Sequence, residues 1–551
     1  MRADWATAAT HRAAAQGCER SLLAGSRWVR VCLWLLLATG LAARLSPLLD
    51  VDGRLYWLLM SEDGYLMQTI ARNMAIGLGM STANGAMPTN GVQPLVTFLY
   101  AGLHALAGGS KLLAIGYVTV VSTAVSTAAA WFFWRLGQSV LRDLPFARDI
   151  ALLATALWFA SPLIIGHSMN GLETGAYYLV ITITLVYYFS LDLSASAPMS
   201  AGQRVALGLL FGVAFLTRND AVFFIAAVLA AHVLLGGASA GGGRGRRAGD
   251  AVMAGGLSLL VASPWLVYNK LAFGSVVPIS GSAQSHSAAF GANLRMIPAN
   301  LIEASLPYVR IPRALETSWP VIVVALVVLA GLGWAAWSLV GRRSLRSLRF
   351  YALTLVFCAG IGGYYGLFFG APWFISRYLS ALSPLLWLLS IASAYLLLAG
   401  LLRDRRTFMI SGAALTSMLL LVSAGLAVLH FRGGQSNGHR QVVDWVQKNV
   451  SERQWVGGIQ TGTLGYFHDR TINLDGKVNP KALRARIERG DVRSYVLDET
   501  PINYLVDWVG IASWVSIESE PRFGQAFEMV VDDKAANLGV LRRRVPVAAA
   551  N

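Results

Sequence analysis

The side chains best suited to chemistry fall in four short clusters. The first is Ser61-Glu62-Asp63-Gly64-Tyr65, with Arg72-Asn73 nine residues after the second acid and Pro88-Thr89-Asn90-Gly91-Val92-Gln93-Pro94 beyond. The second is His167-Ser168-Met169-Asn170-Gly171-Leu172-Glu173-Thr174-Gly175. Thr217-Arg218-Asn219-Asp220 is the third, and Trp373-Phe374-Ile375-Ser376-Arg377-Tyr378 the fourth. Carboxylates can supply a general base and a positioning group. Guanidinium groups suit a phosphate or pyrophosphate. Each cluster also has a plain structural use. Glu62, Asp63 and Glu173 fit the positive ends of helices. Arg218 and Asp220 can neutralise each other in a turn, and Arg377 with its aromatic neighbours can anchor a helix at a membrane interface.

The composition says which elements must position these groups. The 551 residues are 55% hydrophobic and 13% charged, against about 25% charged in a soluble domain. A soluble enzyme and a disordered chain are both excluded. The fold expected is a polytopic α-helical membrane protein of about eleven spans with a small C-terminal α/β domain. The spans run near 31–49, 112–137, 150–166, 173–192, 203–217, 221–236, 250–269, 318–341, 350–370, 378–401 and 408–430. The first follows Arg20, Arg27 and Arg30 without a convincing cleavage site, so a retained helix is expected. Cys18, Cys32 and Cys358 have no metal-ligand spacing and imply no disulfide framework.

Charge fixes the expected orientation. The net charge is +16, which in a soluble protein would suggest nucleic acid. Here the arginines cluster in short loops: Arg135, Arg142 and Arg148; Arg204; Arg244, Arg246 and Arg247; Arg342, Arg343, Arg346 and Arg349; Arg403, Arg405 and Arg406. All fall on one side with the basic N-terminus, the cytoplasmic side of a bacterial inner membrane. No nucleic-acid partner is expected. The same parity makes 93–108 an interfacial or re-entrant helix, and 203–236 a hairpin tipped by Thr217–Asp220.

The expected organisation is a cytoplasmic tail 1–30, a transmembrane catalytic domain 31–430 and an extracytoplasmic domain 431–551. Outer loops of the catalytic domain run over 50–111 and 271–317. The C-terminal tail is nearly balanced, with sixteen basic and fourteen acidic residues. It has turn signals and short apolar runs at Trp455–Ile459, Tyr495–Leu497 and Ala526–Val531. Parity places Asp63, Glu173, Arg218, Asp220 and Arg377 at one membrane face, where acids are costly unless solvated or used. Together they suggest transfer from a phosphate-linked lipid. No nucleotide-binding glycine pattern is visible.

At these residues the chain resembles the GT-C superfamily of integral-membrane glycosyltransferases, over about residues 30–400. It is similar to bacterial members related to the arabinofuranosyltransferases of the mycobacterial cell wall. More distantly it resembles aminoarabinose transferases and protein mannosyltransferases. The matching pieces are Glu62-Asp63 with Arg72-Asn73, Pro88-Thr89-Asn90-Gly91 with Pro94, Gly171-Leu172-Glu173-Thr174 and Leu216-Thr217-Arg218-Asn219-Asp220. Thr461–Phe467, Asn473-Leu474-Asp475-Gly476 and Val478-Asn479 look like a tail found in some bacterial members, and the resemblance gives them no role.

The resemblance implies a sugar, such as arabinofuranose, moved from a polyprenyl-phosphate donor to a hydroxyl of a cell-envelope glycan, lipid or protein. Asp63 would be the general base, with Glu62 as its understudy and Glu173 as a second, orienting acid. Arg218, Arg377 and Arg72 would hold the donor phosphate. Tyr65, Asn90, Gln93, Asn170, Asp220 and Tyr378 would contact substrate. Many relatives have Arg-Pro-Asp or a lysine where this chain has Arg218-Asn219-Asp220, which leaves the role of Asp220 open. Some superfamily members use a divalent metal. This chain shows no full ligand set, so neither metal nor cofactor is expected. The tail is expected to cover the cavity and help bind the acceptor. The alternatives are a transporter or flippase of lipid-linked sugars, and a ligase or polymerase using polyprenyl-pyrophosphate donors.

Overall fold

The computed structural model describes residues 26–50, 53–191, 199–235, 243–402, 404–433, 438–509 and 521–545. The expected cytoplasmic tail therefore lies outside the described residues up to position 25, as does Cys18. The chain is a polytopic helical membrane protein with a small C-terminal sheet domain. Among the described residues, seven helices are long and apolar enough to cross a membrane, or eight if one bent pair counts as a single span. Four shorter apolar helices accompany them: Pro94–Leu106, Thr174–Ser190, Ala201–Thr217 and Ala221–Leu234. Leu260, Val327, Trp334, Leu421 and Leu429 face outward from the long helices, as lipid-facing residues should.

Two segments depart from straight spans. The 150–166 stretch is Ala147–Ala160 followed by Pro162–Ser168, bent by 63°. Ser161, at the break, is extended (φ −67°, ψ 128°), the conformation that a following proline imposes. The hairpin over 201–234 turns at Arg218, whose extended backbone (φ −153°) ends the first helix.

The 50–111 loop is mostly ordered as the Glu62–Ala75 helix, a two-stranded Ser81–Thr82/Met87–Pro88 ribbon and the Pro94–Leu106 helix. The loop before residue 318 holds the Ile279–His286 and Ile297–Ser305 helices.

The tail sheet has five strands, in the order Thr471–Asn473, Trp455–Gly458, Ile502–Asp507, Leu538–Arg543, Phe527–Asp533. The first three are parallel and the last two antiparallel. Of the three apolar runs, Tyr495–Leu497 is helical, within Arg493–Glu499.

Two interfaces position the site. Ser61 caps the Glu62–Ala75 helix by accepting from the Gly64 amide. Its own amide (3.1 Å) and hydroxyl (2.9 Å) both donate to the Asn170 carbonyl. Gly64 permits this approach, because a Cβ there would overlap that carbonyl. The tail inserts the short Gly462–Phe467 helix against the same element. Tyr466 packs on Tyr65, and Phe467 stacks on Trp57. At Gly462 a Cβ would overlap the Glu62 carbonyl, so glycine is again required.

Candidate active site

A cavity of about 430 Å³ opens where the Glu62–Ala75 helix, the Asn170–Thr174 turn, the 217–220 hairpin tip and the Ile375–Leu379 helix meet the tail. Asp63, Glu173, Asp220, Arg218, Arg377 and Lys477 all line it. The three acids and three cations are paired. Arg377 Nη1 donates to Asp63 Oδ2 at 2.9 Å. Lys477 Nζ lies 3.7 Å from Asp63 Oδ1 and 3.3 Å from Asp475. Arg218 grips Asp220 through two nitrogens (3.0 and 2.5 Å) and lies 3.8 Å from Glu173. Tyr365 donates to Asp220 at 2.7 Å.

Aromatic rings separate the cations. Phe374 lies beneath both Lys477 (5.1 Å) and Arg377 (4.6 Å). Tyr378 lies beneath both Arg377 (5.1 Å) and Arg218 (4.8 Å), and stacks on Tyr365 at 4.2 Å. The ring faces attract each cation and keep positive groups apart along one wall. Arg218 Nη1 and Arg377 Nε are buried without a hydrogen-bond partner among the described residues. Two lining oxygens, Asn219 Oδ1 and Gln284 Oε1, are in the same state. The site therefore has donors to offer an anion and acceptors to offer hydroxyl groups.

The cavity also has an apolar arm, formed by Phe215, Val222, Phe223, Leu266 and Tyr364. These come from helices whose outer faces expose Leu209, Leu260, Val267 and Leu355. The lining thus combines charged and apolar side chains.

Electrostatics sort the two neighbouring acids. Burial pushes the Asp63 carboxyl up, but Lys477 and Arg377 outweigh it and hold it below its ordinary range. Burial raises Glu62 to about 7, with His439 and Lys477 opposing and Asp63 reinforcing the rise. The ion pairs with Asp63 and Asp475 in turn hold the Lys477 ammonium above its ordinary value, against its burial.

Of the residues expected at the site, Asp63, Glu173, Arg218, Asp220, Arg377, Gln93 and Tyr378 converge on the cavity. Gln93 also accepts from the Asn219 amide. Five others are engaged elsewhere. Glu62 accepts from the Gly462 amide of the tail. Arg72 pairs with Asp469 at 3.2 Å. Tyr65 donates to the Tyr56 carbonyl. Asn90 accepts from the Ile279 amide and donates to Asn269. Asn170 uses its side chain to accept from the Leu172 amide.

Sequence reasoning missed Lys477, Tyr365 and Gln284. Lys477 sits between the two pieces Asn473–Gly476 and Val478-Asn479, and that adjacency was its only signal.

The fold is similar to that of solved membrane proteins of low sequence identity. The chain is similar to ArnT from Cupriavidus metallidurans bound to undecaprenyl phosphate, with TM-score 0.58 and 13% identity over 93% of this chain and 97% of that one. The apo form of that protein gives 0.57 and 14%, over 94% and 98%. The archaeal oligosaccharyltransferase AglB from Archaeoglobus fulgidus, in complex with an inhibitory peptide and a dolichol-phosphate, gives 0.52 and 12%, over 95% and 75%. Residues 429–538 match a family described as a domain of unknown function, DUF8728. No curated protein sequence matches the chain.

Proposed function

We propose that this protein is a glycosyltransferase that moves a sugar from a polyprenyl-phosphate donor to an acceptor hydroxyl, at the outer face of a bacterial inner membrane. One observation carries the reading. Three carboxylates and three cations share a cavity whose lining also includes apolar side chains. A lipid phosphate has that same division between charge and hydrocarbon. Support comes from two neighbours of like fold, whose structures hold undecaprenyl phosphate and a dolichol-phosphate.

In this reading the prenyl chain lies along Phe215, Val222 and Leu266, and the phosphate meets Arg377 and Arg218. The phosphate draws Arg377 away from Asp63, which restores basicity to the carboxylate. Asp63 takes the proton of the acceptor hydroxyl, whose oxygen bonds to the anomeric carbon. The bond from that carbon to the phosphate oxygen breaks, and its electron pair leaves with the polyprenyl phosphate. The arginines stabilise the charge that develops there. Asn219 Oδ1 and Gln284 Oε1 accept hydrogen bonds from hydroxyl groups of the sugar or acceptor, and Glu173 keeps Arg218 in place. The sugar is a pentofuranose such as arabinofuranose, and the acceptor a cell-envelope glycan, lipid or protein.

The arginines meet the phosphate charge without a metal ion. The carboxylates that could ligate one are already paired with cations, and among the described residues no three histidines, cysteines or acids are grouped closely enough to hold one ion.

The test presents the purified full-length protein with polyprenyl-phosphate sugars, polyprenyl-pyrophosphate sugars and nucleotide sugars, beside a hydroxyl acceptor. The expected result is acceptor glycosylation with release of polyprenyl phosphate from the first class alone. Turnover confined to either other class, or to none, contradicts the proposal.

A further inference from the structure

We infer that the C-terminal domain is part of the active site, and that its Lys477 is a direct ligand of the donor phosphate. This rests on the lipid-phosphate reading given above. It assigns a task to the domain matched over 429–538, whose function is unknown.

The lysine is the third cation of the cavity lining. That lining holds three carboxylates, Asp63, Glu173 and Asp220. The membrane core contributes two cations against them, Arg218 and Arg377. Without the tail the lining holds three carboxylates against two cations, and Lys477 adds the third cation, with its tail partner Asp475 beside it at 3.3 Å. Arg218 is held by Asp220 through two nitrogens, whereas Arg377 makes one bond to Asp63 and Lys477 lies 3.3 Å from Asp475 and 3.7 Å from Asp63, so these two have fewer close contacts to exchange for an anion. Both sit on Asp63 and share the Phe374 ring. One phosphate arriving there would meet both and release the base.

Lys477 is held for this task. It occupies a turn closed by side-chain bonds. Asn473 accepts from the Gly476 amide at 3.0 Å, and Asp475 from the Lys477 amide at 2.8 Å. Asn479 donates to the Asn473 carbonyl at 2.8 Å. Val478, the next residue, packs on Ile70 of the Glu62–Ala75 helix. The domain is fixed a second time where the Gly462 amide meets Glu62. Two anchors on one helix set the lysine beside Asp63, which gives the Asn473–Asn479 and Thr461–Phe467 segments a common purpose. A strained or mobile placement would cost affinity; a preorganised one does not.

The experiment uses the full chain and a polyprenyl phosphate of defined length as probe, the leaving group of the proposed reaction. Binding is measured by ligand-induced thermal stabilisation for wild type, Lys477→Met and Lys477→Arg. Loss of a charge-assisted bond predicts that Lys477→Met binds about 10- to 100-fold more weakly, while Lys477→Arg largely retains binding. Protease resistance of the tail in Lys477→Met separates a lost ligand from an undocked domain. A second readout is the acid limb of kcat/KM, which moves to higher pH in Lys477→Met because Asp63 has lost a cation. Wild-type binding with equal affinity in Lys477→Met overturns the inference and leaves the transferase reading intact. Absence of binding in wild type overturns both.

Discussion

Arg377 and Asp63, 314 residues apart in sequence, are joined by a 2.9 Å charge-assisted hydrogen bond on the wall of the cavity. The bond has two consequences. It neutralises an acid that would otherwise be costly at this depth. It also makes the acid a poor base until something anionic competes for the guanidinium. In the proposed reaction a donor phosphate is such a competitor, so donor binding and base activation would become one event.

Arg377→Gln tests this coupling. Removing a preorganised charge donor from a developing oxyanion costs on the order of 10²–10³ in kcat. Because Arg377 helps to hold Asp63 low, the acid limb of the pH profile should also move upward. Rate measurements between pH 4 and 8 check both. A lower rate with an unmoved acid limb would leave Arg377 as a phosphate ligand with no influence on the base.

Arg218 has a more structural load. It is 1% exposed and compensates Asp220 and Glu173 at once. Arg218→Met leaves both acids buried without their cation, a change worth about 3–5 kcal/mol. Arg218→Met with Asp220→Asn should recover part of that loss. Thermal unfolding in detergent of wild type, the two single variants and the double variant gives the coupling. Strict additivity would mean that the pair does not interact energetically.

Glu62 predicts a pH dependence of tail docking. Its carboxyl is raised from an ordinary value of 4.5 to about 7 in the folded protein. The docked state therefore binds more protons across that interval, and stability falls as pH rises through it. The groups facing Glu62 are His439, Asp63, Lys477 and the Gly462 amide. Asp63 is displaced the other way, so its contribution is lost only in stronger acid. Resistance of the tail to proteolysis should fall between pH 5 and pH 8. Each tenfold difference in proton affinity between the docked and undocked carboxyl contributes about 1.4 kcal/mol to that fall. Glu62→Gln should abolish it. An unchanged fall in Glu62→Gln would place the titration elsewhere.

Chelation should leave the enzyme active. The acids of the cavity answer to arginine and lysine rather than to one another. Transfer measured in excess EDTA should match the untreated rate. Loss of activity restored by a divalent ion would show that donor binding rearranges these carboxylates into a metal site.

Much of this architecture was legible because membrane proteins advertise themselves. Low charge and long apolar runs give the helices, and parity of the arginine-rich loops puts Arg218 and Arg377 at one membrane face with Asp63 and Glu173, where acids are costly unless solvated or used. Other features could not be read. Arg72 looks like a phosphate ligand by proximity to Asp63 in sequence, yet nine residues of helix carry it to Asp469 instead. Asn90 and Asn170 resemble substrate contacts, but their amides satisfy buried backbone groups. Lys477 lies in a tail domain with a near-balanced charge, where one of sixteen basic residues carries no mark. Only the docking of Gly462–Phe467 on the Glu62–Ala75 helix reveals its position.

The central claim is that Asp63 removes the acceptor proton. It is tested by single-turnover transfer from a polyprenyl-phosphate sugar in wild type and Asp63→Asn, with polyprenyl-phosphate binding measured in parallel. The account predicts that Asp63→Asn keeps or improves binding, since a negative charge beside the phosphate is gone, while transfer slows by on the order of 10²–10⁴-fold. Transfer by Asp63→Asn near the wild-type rate would contradict it.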